Sequence, residues 1–304
     1  MAKFVGFGGL TALVLLSSSV SSRAAELGPS IVPTADVVES SAAAGPIFSM
    51  LAEGWGGGSF VSGRKGSAIE LGAKDSLDTY GGDTRIAAIL PSGLYLQGDL
   101  IGESTTADKL GNNNFRYART GGGHAGIRNS QYLLGGFGAY GDTFSEMNSA
   151  TFWSLGVEGR YIVNDVTLYG QLGYFDSKDS ETGENEFIHK GTFARGLAKY
   201  ALSDTAQLSG ELSYAAAREA NVNADIFGWG ARFDMNFGGS PISAFLAYNG
   251  TNYDNQIGKY EDDVVKVGLQ LRFGSSNSRD FERNGATLDM PNFGRWVGAG
   301  NSID

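Results

Sequence analysis

The chain has no cysteine among its 304 residues. This excludes a disulfide framework and any thiolate metal site. Cationic charge is also scarce, with 23 Lys and Arg against 33 Asp and Glu for a formal net charge of -10. A nucleic-acid partner asks for a basic face, so the balance argues against that class. Histidine occurs twice, at His124 and His189. Beyond the N-terminus no stretch approaches the roughly 18 apolar residues of a membrane helix. In place of these the chain has glycine, 46 residues in all, about twice the usual share.

The N-terminus, "MAKFVGFGGLTALVLLSSSVSSRAA", carries a cation at Lys3, an apolar run from Phe4 to Leu16, then small polar residues. That is the three-part layout of a secretory signal peptide, and Ser22 with Ala24 fits the small-x-small cleavage rule. Residues 1–24 are therefore expected to be a signal peptide. No cysteine follows the apolar run, which excludes a lipoprotein anchor. Residues 25–47 are small, polar and without period, and are expected to form a flexible periplasmic segment.

From 48 to 274 the chain is a succession of alternating runs with no helix-period segment. The runs are 48–60, 83–90, 94–105, 114–127, 131–144, 150–163, 166–178, 188–202, 205–218, 225–238, 241–253 and 264–274. The last, "VVKVGLQLRFG", alternates cleanly. Val265, Val267, Leu269, Leu271 and Phe273 share one parity, and Lys266, Gly268, Gln270 and Arg272 share the other. Period two means a strand with one apolar and one polar face. Tight connections at 91–93, 164–165, 203–204 and 238–241 alternate with longer polar ones at 61–82, 106–113, 145–149, 179–187, 219–224 and 254–263. Such alternation gives a meander of hairpins, either a sandwich or a barrel.

The aromatic residues choose between the two. With the long loops at one end, Trp153, Tyr174, Tyr214, Phe227, Trp229 and Tyr248 fall towards that end. Tyr161, Tyr200, Phe237 and Phe273 fall towards the tight turns. Small and aliphatic residues lie between them. Two aromatic belts around an aliphatic band fit a wall that meets lipid, and lipid admits β-strands only as a closed barrel. The expected fold is all-β, a transmembrane antiparallel up-and-down β-barrel of about 12 strands over residues 48–274. Residues 275–304 follow as a periplasmic C-terminal tail, either hanging free or folded back into the barrel mouth and anchored by Phe293 and Trp296.

The opposite parity would line the lumen. It holds Arg85, Asp99, Glu103, Arg116, Glu158, Arg160, Arg195, Lys199, Glu211, Arg232, Asp234, Lys266 and Arg272, eight cations and five carboxylates. Buried charges must be paired or hydrated, so these residues imply either a salt-bridged filling or a narrow, mildly cationic pore. Other candidates are weaker. Neither histidine has a serine fixed near it by spacing, and there is no G-x-S-x-G elbow. "GFGAYG" (136–141) matches G-x-G-x-x-G but lies inside a strand, where the motif has no meaning. The acidic stretches 176–186 and 261–263 lack calcium-loop spacing. They read as solvated loops that could bridge lipopolysaccharide through divalent cations. No cofactor, metal or catalytic residue is expected.

With its leader, its twelve runs and a final strand "VKVGLQLRF" ending at Phe273, the chain resembles Gram-negative outer-membrane β-barrel proteins of the porin-like kind. The resemblance implies integral outer-membrane localisation with both termini in the periplasm. It also implies contact with outer-membrane lipid and lipopolysaccharide, and a last strand read by the barrel-assembly machinery. The chain departs from the family's pattern in running thirty residues past the terminal aromatic. The expected function is a passive channel for small polar or anionic solutes, not an enzyme. The alternatives are a non-conducting structural or surface-interaction barrel and, third, an outer-membrane lipid hydrolase.

Overall fold

The computed structural model describes residues 45–64, 74–105, 117–144, 149–179, 187–219, 222–255, 258–275 and 277–298. The expected signal peptide and almost all of the 25–47 segment lie outside these residues. Twelve strands follow in order: β1 (Ile47–Arg64), β2 (Lys74–Ile89), β3 (Leu94–Thr105), β4 (Tyr117–Arg128), β5 (Tyr132–Phe144), β6 (Ser149–Val163), β7 (Val166–Asp179), β8 (Ile188–Ala201), β9 (Ala206–Glu219), β10 (Val222–Asn236), β11 (Ile242–Asn255) and β12 (Lys259–Phe273). Each pairs antiparallel with its neighbours in sequence. β1 then pairs with β12, from Met50 opposite Phe273 to Arg64 opposite Lys259, and closes the barrel. The expected architecture is the one found.

The parity of the last strand now has a physical meaning. Val267 is 61% exposed on the outer wall, and Leu100, Ile127 and Leu134 are each about two-thirds exposed. A closed antiparallel barrel with so apolar an exterior is built for a lipid surround and is of the outer-membrane kind. Among the described residues no helix is long and apolar enough to cross a membrane, which leaves the crossing to strands.

The strands run longer than the sequence pattern indicates. They span 12 to 18 residues, where about 9–11 suffice to cross. The surplus lies at the long-loop end and corrects two expected loops. Much of 61–82 is strand, in β1 to Arg64 and β2 from Lys74, and β12 begins at Lys259 rather than 264. Beyond the hydrocarbon an outward position need not be apolar, so alternation fades while the ladder continues. Asp263 illustrates this, since it faces out and accepts a 2.5 Å hydrogen bond from the Tyr248 hydroxyl.

"GWGGGS" (54–59) makes a strand for a related reason. Its identity comes from pairing on both sides, to β2 and to β12, rather than from its own pattern. A Cβ at Gly57 would collide with the carbonyl of Val265, so glycine there lets the closing strands approach. Tight turns at the other end use left-handed backbone at Gly93 (φ 83°), Asn164 (φ 53°) and Gly239 (φ 73°), as such turns require.

β1 starts and β12 ends on the tight-turn side. From there the chain turns into the barrel as α1 (Ser278–Asn284) and α2 (Phe293–Gly298). Asn277 caps α1 by accepting the Asp280 amide at 2.8 Å, and the Gly285 amide closes it on the Phe281 carbonyl at 2.6 Å. Residues 277–298 therefore lie within the lumen, the folded-back arrangement of the two expected.

An arginine at the lipid-facing centre of β12 tests the orientation of the wall. Val267→Arg should destabilise the folded barrel by about 2–4 kcal/mol. The measurement is urea unfolding in lipid vesicles.

Candidate functional site: the lumen and the segment inside it

The C-terminal segment climbs the lumen in sequence order, from the turn end to the loop end. At the bottom, Arg279 pairs with Asp165 and Asp204 in the turns at 3.1 and 3.0 Å. Arg272 donates to the Ser278 hydroxyl at 3.2 Å. One turn higher, Arg160 donates to the Glu282 carbonyl at 3.0 Å and to the Thr287 hydroxyl, while Lys199 pairs with the Glu282 carboxylate at 3.1 Å. At mid-height the Leu288 carbonyl accepts from Gln97 at 2.7 Å and from Arg85 at 3.2 Å. Arg195 bridges Asp289 at 2.8 Å and Glu211 at 2.7 Å. Near the top, Glu103 accepts from Lys266 and Asn292, each at 2.9 Å, and pairs with Arg295 at 2.5 Å. Arg295 also pairs with Asp262, which Ser59 holds from the other side at 2.5 Å.

The loop end has a different chemistry. Phe137, Phe152, Phe175 and Phe193 point inward from β5–β8, and Phe293 and Trp296 of α2 pack among them with ring centroids 5.3 to 6.3 Å apart. Leu288, Phe293 and Val297 are fully buried. Water at the mouth would hydrate these rings poorly, so the segment covers apolar surface that the lumen would otherwise expose.

The segment leans on β3–β8. Between it and the wall formed by β8–β12 and β1–β3 remains a crevice of about 280 Å³. Seven cations and seven carboxylates line the crevice. Arg232 exemplifies them, paired with Glu53 at 2.8 Å and Asp234 at 3.0 Å, its guanidinium 3.7 Å from the Phe245 ring centroid.

Every sequence-predicted lumen residue that is described faces inward, and Arg116 lies outside the described residues. The predicted excess of cations does not hold. Glu53, Asp83 and Asp262 also turn inward, and the segment supplies Glu282, Asp289 and Arg295. Glu53 was missed because its run carries little alternation, and Asp262 because "EDD" reads as loop when it belongs to β12. Asp83 shares the parity of Arg85, a signal that was available.

Trp153, Tyr161, Tyr200, Tyr214, Phe237, Tyr248 and Phe273 are exposed on the outer wall, and Tyr174 and Trp229 share their outward parity. Trp153 meets Tyr174 at 5.6 Å and Phe227 meets Trp229 at 5.8 Å near the loop end.

His124 sits buried between Asp99 (3.0 Å) and Glu158 (2.9 Å), with Tyr169 donating to Glu158 at 2.6 Å. Carboxylates engage both ring nitrogens, so neither is free to serve a serine. His189 lies at the loop end, 3.8 Å from Asp179. Among the described residues no group of three or more His, Cys, Asp or Glu could hold a metal ion.

No protein-family model matches the chain, and no curated protein matches it. Solved structures of similar shape include the translocator domain of the autotransporter NalP from Neisseria meningitidis. It is 19% identical, with 75% of this chain and 88% of that one covered and a TM-score of 0.48. An outer membrane channel from Pseudomonas putida is 11% identical over 80% and 100% of the two chains, with a TM-score of 0.49. The anion-selective porin from Comamonas acidovorans is 11% identical over 75% and 100%, with a TM-score of 0.39. At these scores the likenesses carry no argument, and the architecture rests on the ladder and the apolar exterior described above.

Arg195→Met keeps the aliphatic stem but removes the guanidinium that bridges Glu211 and Asp289. The expected loss is about 2 kcal/mol, the scale of hydrogen bonds to charged groups. It should appear as faster hydrogen exchange in residues 277–298 while protection of the strands is unchanged.

Proposed function

We propose that the protein is an outer-membrane channel for small polar solutes whose lumen is narrowed to a crevice by its own C-terminal segment. The tight turns face the periplasm, the long loops face outward, and the segment enters from the periplasmic end. The barrel-assembly machinery reads the strand that ends at Phe273. The observation that carries this reading is the crevice beside the segment, about 280 Å³ and lined by charged side chains. Ligand pockets for larger molecules start near 300 Å³, so the crevice suits small solutes. Its equal numbers of cations and carboxylates support passage of polar solutes with weak ion preference, in place of the anion preference expected from sequence.

A second reading is favoured by the aromatic cluster at the loop end. A permanently seated Phe293 and Trp296 would make the segment a structural filler in a non-conducting barrel.

Single-channel recording in planar bilayers separates the two. The full chain should give small, weakly selective steps. A chain ending at Gly274 should give steps several-fold larger if it inserts. Silence from the full chain, in a sample shown to be folded by its heat-modifiable mobility, would overturn the channel and leave the filled barrel.

A further inference from the structure

The lipid-facing wall is uneven. Over β6–β12 it carries large side chains, with Leu155, Leu172, Leu212 and Leu246 each more than half exposed. On β4 the same face reads Arg119, Gly121, Gly123, Ala125 and Ile127. The neighbouring outward positions include Gly98 and Gly102 on β3 and Gly136 and Gly138 on β5. Two adjoining depressions result, of about 730 and 500 Å³. Ile86, Leu96 and Leu155 border the first, and Leu100 and Tyr140 the second.

A Cβ would be tight at Gly136 and Gly138, 3.2 Å from the Gly156 carbonyl and 3.0 Å from Leu155, but packing does not demand glycine on β3 and β4. A Cβ at Gly121 would meet Leu100 at 3.5 Å, one at Gly123 the Gln97 carbonyl at 3.4 Å, and one at Gly98 the Gly122 carbonyl at 4.0 Å. At Gly102 nothing lies within 4 Å. None of the four has a positive φ. Gly81 and Gly250 differ, because the Trp55 and Trp229 rings lie where a Cβ would go. The trough glycines leave space on the outside of the wall that no part of the described chain fills.

The dimensions fit one leaflet. Arg119 to Ala125 is six residues, roughly 20 Å of strand. At a tilt of about 40° that is some 15 Å of depth, half of the hydrocarbon core. Ile127, 67% exposed, closes the lower end. Arg119 stands one same-face step beyond Tyr140, an exposed ring paired across strands with the belt residue Trp153, at headgroup level. Asp142 takes the Nε–Nη2 edge of its guanidinium at 2.8 to 2.9 Å, and 60% of the side chain remains exposed.

We infer that this trough seats one acyl chain of an anionic, phosphate-bearing lipid of the outer leaflet, with Arg119 beneath its headgroup. The inference rests on the membrane orientation proposed above. A cation at the headgroup end of an apolar trough complements such a lipid along its whole length. A second copy of the chain fits poorly, because a two-fold contact would set trough against trough and Arg119 against Arg119.

The test is native mass spectrometry of the full chain released from phosphatidylcholine vesicles that contain phosphatidylglycerol. The wild type should retain one lipid, with phosphatidylglycerol preferred roughly threefold, the scale of one exposed ion pair. Arg119→Gln should retain lipid without the preference. Gly123→Leu, which places an ordinary lipid-facing side chain in the trough, should retain none. No retained lipid on the wild type, equal retention of the two lipids, or lipid kept by Gly123→Leu would each overturn the inference. So would a dimer that Gly123→Leu abolishes. Heat-modifiable mobility of the same sample reports the barrel itself, and conductance reports the channel. A folded, conducting barrel without bound lipid would therefore sink the trough alone.

Discussion

The structure depends on the seam between β1 and β12. In hydrocarbon an unpaired backbone amide or carbonyl has no water to turn to, so the sheet has to end on itself. The seam is the one pairing between strands distant in sequence, from Met50–Phe273 to Arg64–Lys259, and on the β1 side its backbone demands are met by residues with little side-chain pattern. Gly57 is the clearest case, chosen for close approach to Val265 and not for any face it presents. Closure fixes the parity of all twelve strands at once. Val267 must then meet lipid and Lys266 must face the lumen.

A polar lumen brings a second demand. Charges facing one another in a narrow barrel must find partners or water. The C-terminal segment supplies much of what the wall lacks. Asp289 and Glu282 answer Arg195 and Lys199, and Arg295 answers Glu103 and Asp262. Backbone carbonyls of the segment serve Arg85, Gln97 and Arg160. The segment and the wall therefore form one polar network, capped at the loop end by an apolar contact among rings.

The barrel was legible because its signal is local. Alternation in "VKVGLQLRF" and the spacing of turns report strand and face directly. The lumen was legible only by parity, which failed where alternation fades. Glu53 sits in a glycine run, and Asp262 sits beyond the hydrocarbon, where strands no longer look like strands. The path of the segment was not legible from its own residues, which carry no period. A signal did exist in the strands that receive it. Phe152 beside Trp153, and Tyr174 beside Phe175, put aromatic rings on both parities of β6 and β7. One ring of each pair faces lipid, so the other required an apolar partner inside, and α2 provides it.

The contrast between the two sides of the segment bears on function. Against β5–β8 near the loop end it packs rings on rings, which is how a filler gains stability. Against β9–β12 and β1 the wall keeps Arg232, Glu53, Asp234 and Lys266 around open space. Buried ion pairs are seldom worth more than the apolar side chains that could replace them, so stability alone gives no reason to keep that side charged. The proposed channel does, because charged groups bordering a crevice would hold water in it and favour polar solutes over apolar ones. A barrel selected only to be filled would have extended the Phe137–Phe193 surface around the lumen. This one confines that surface to one side and lines the other with charge.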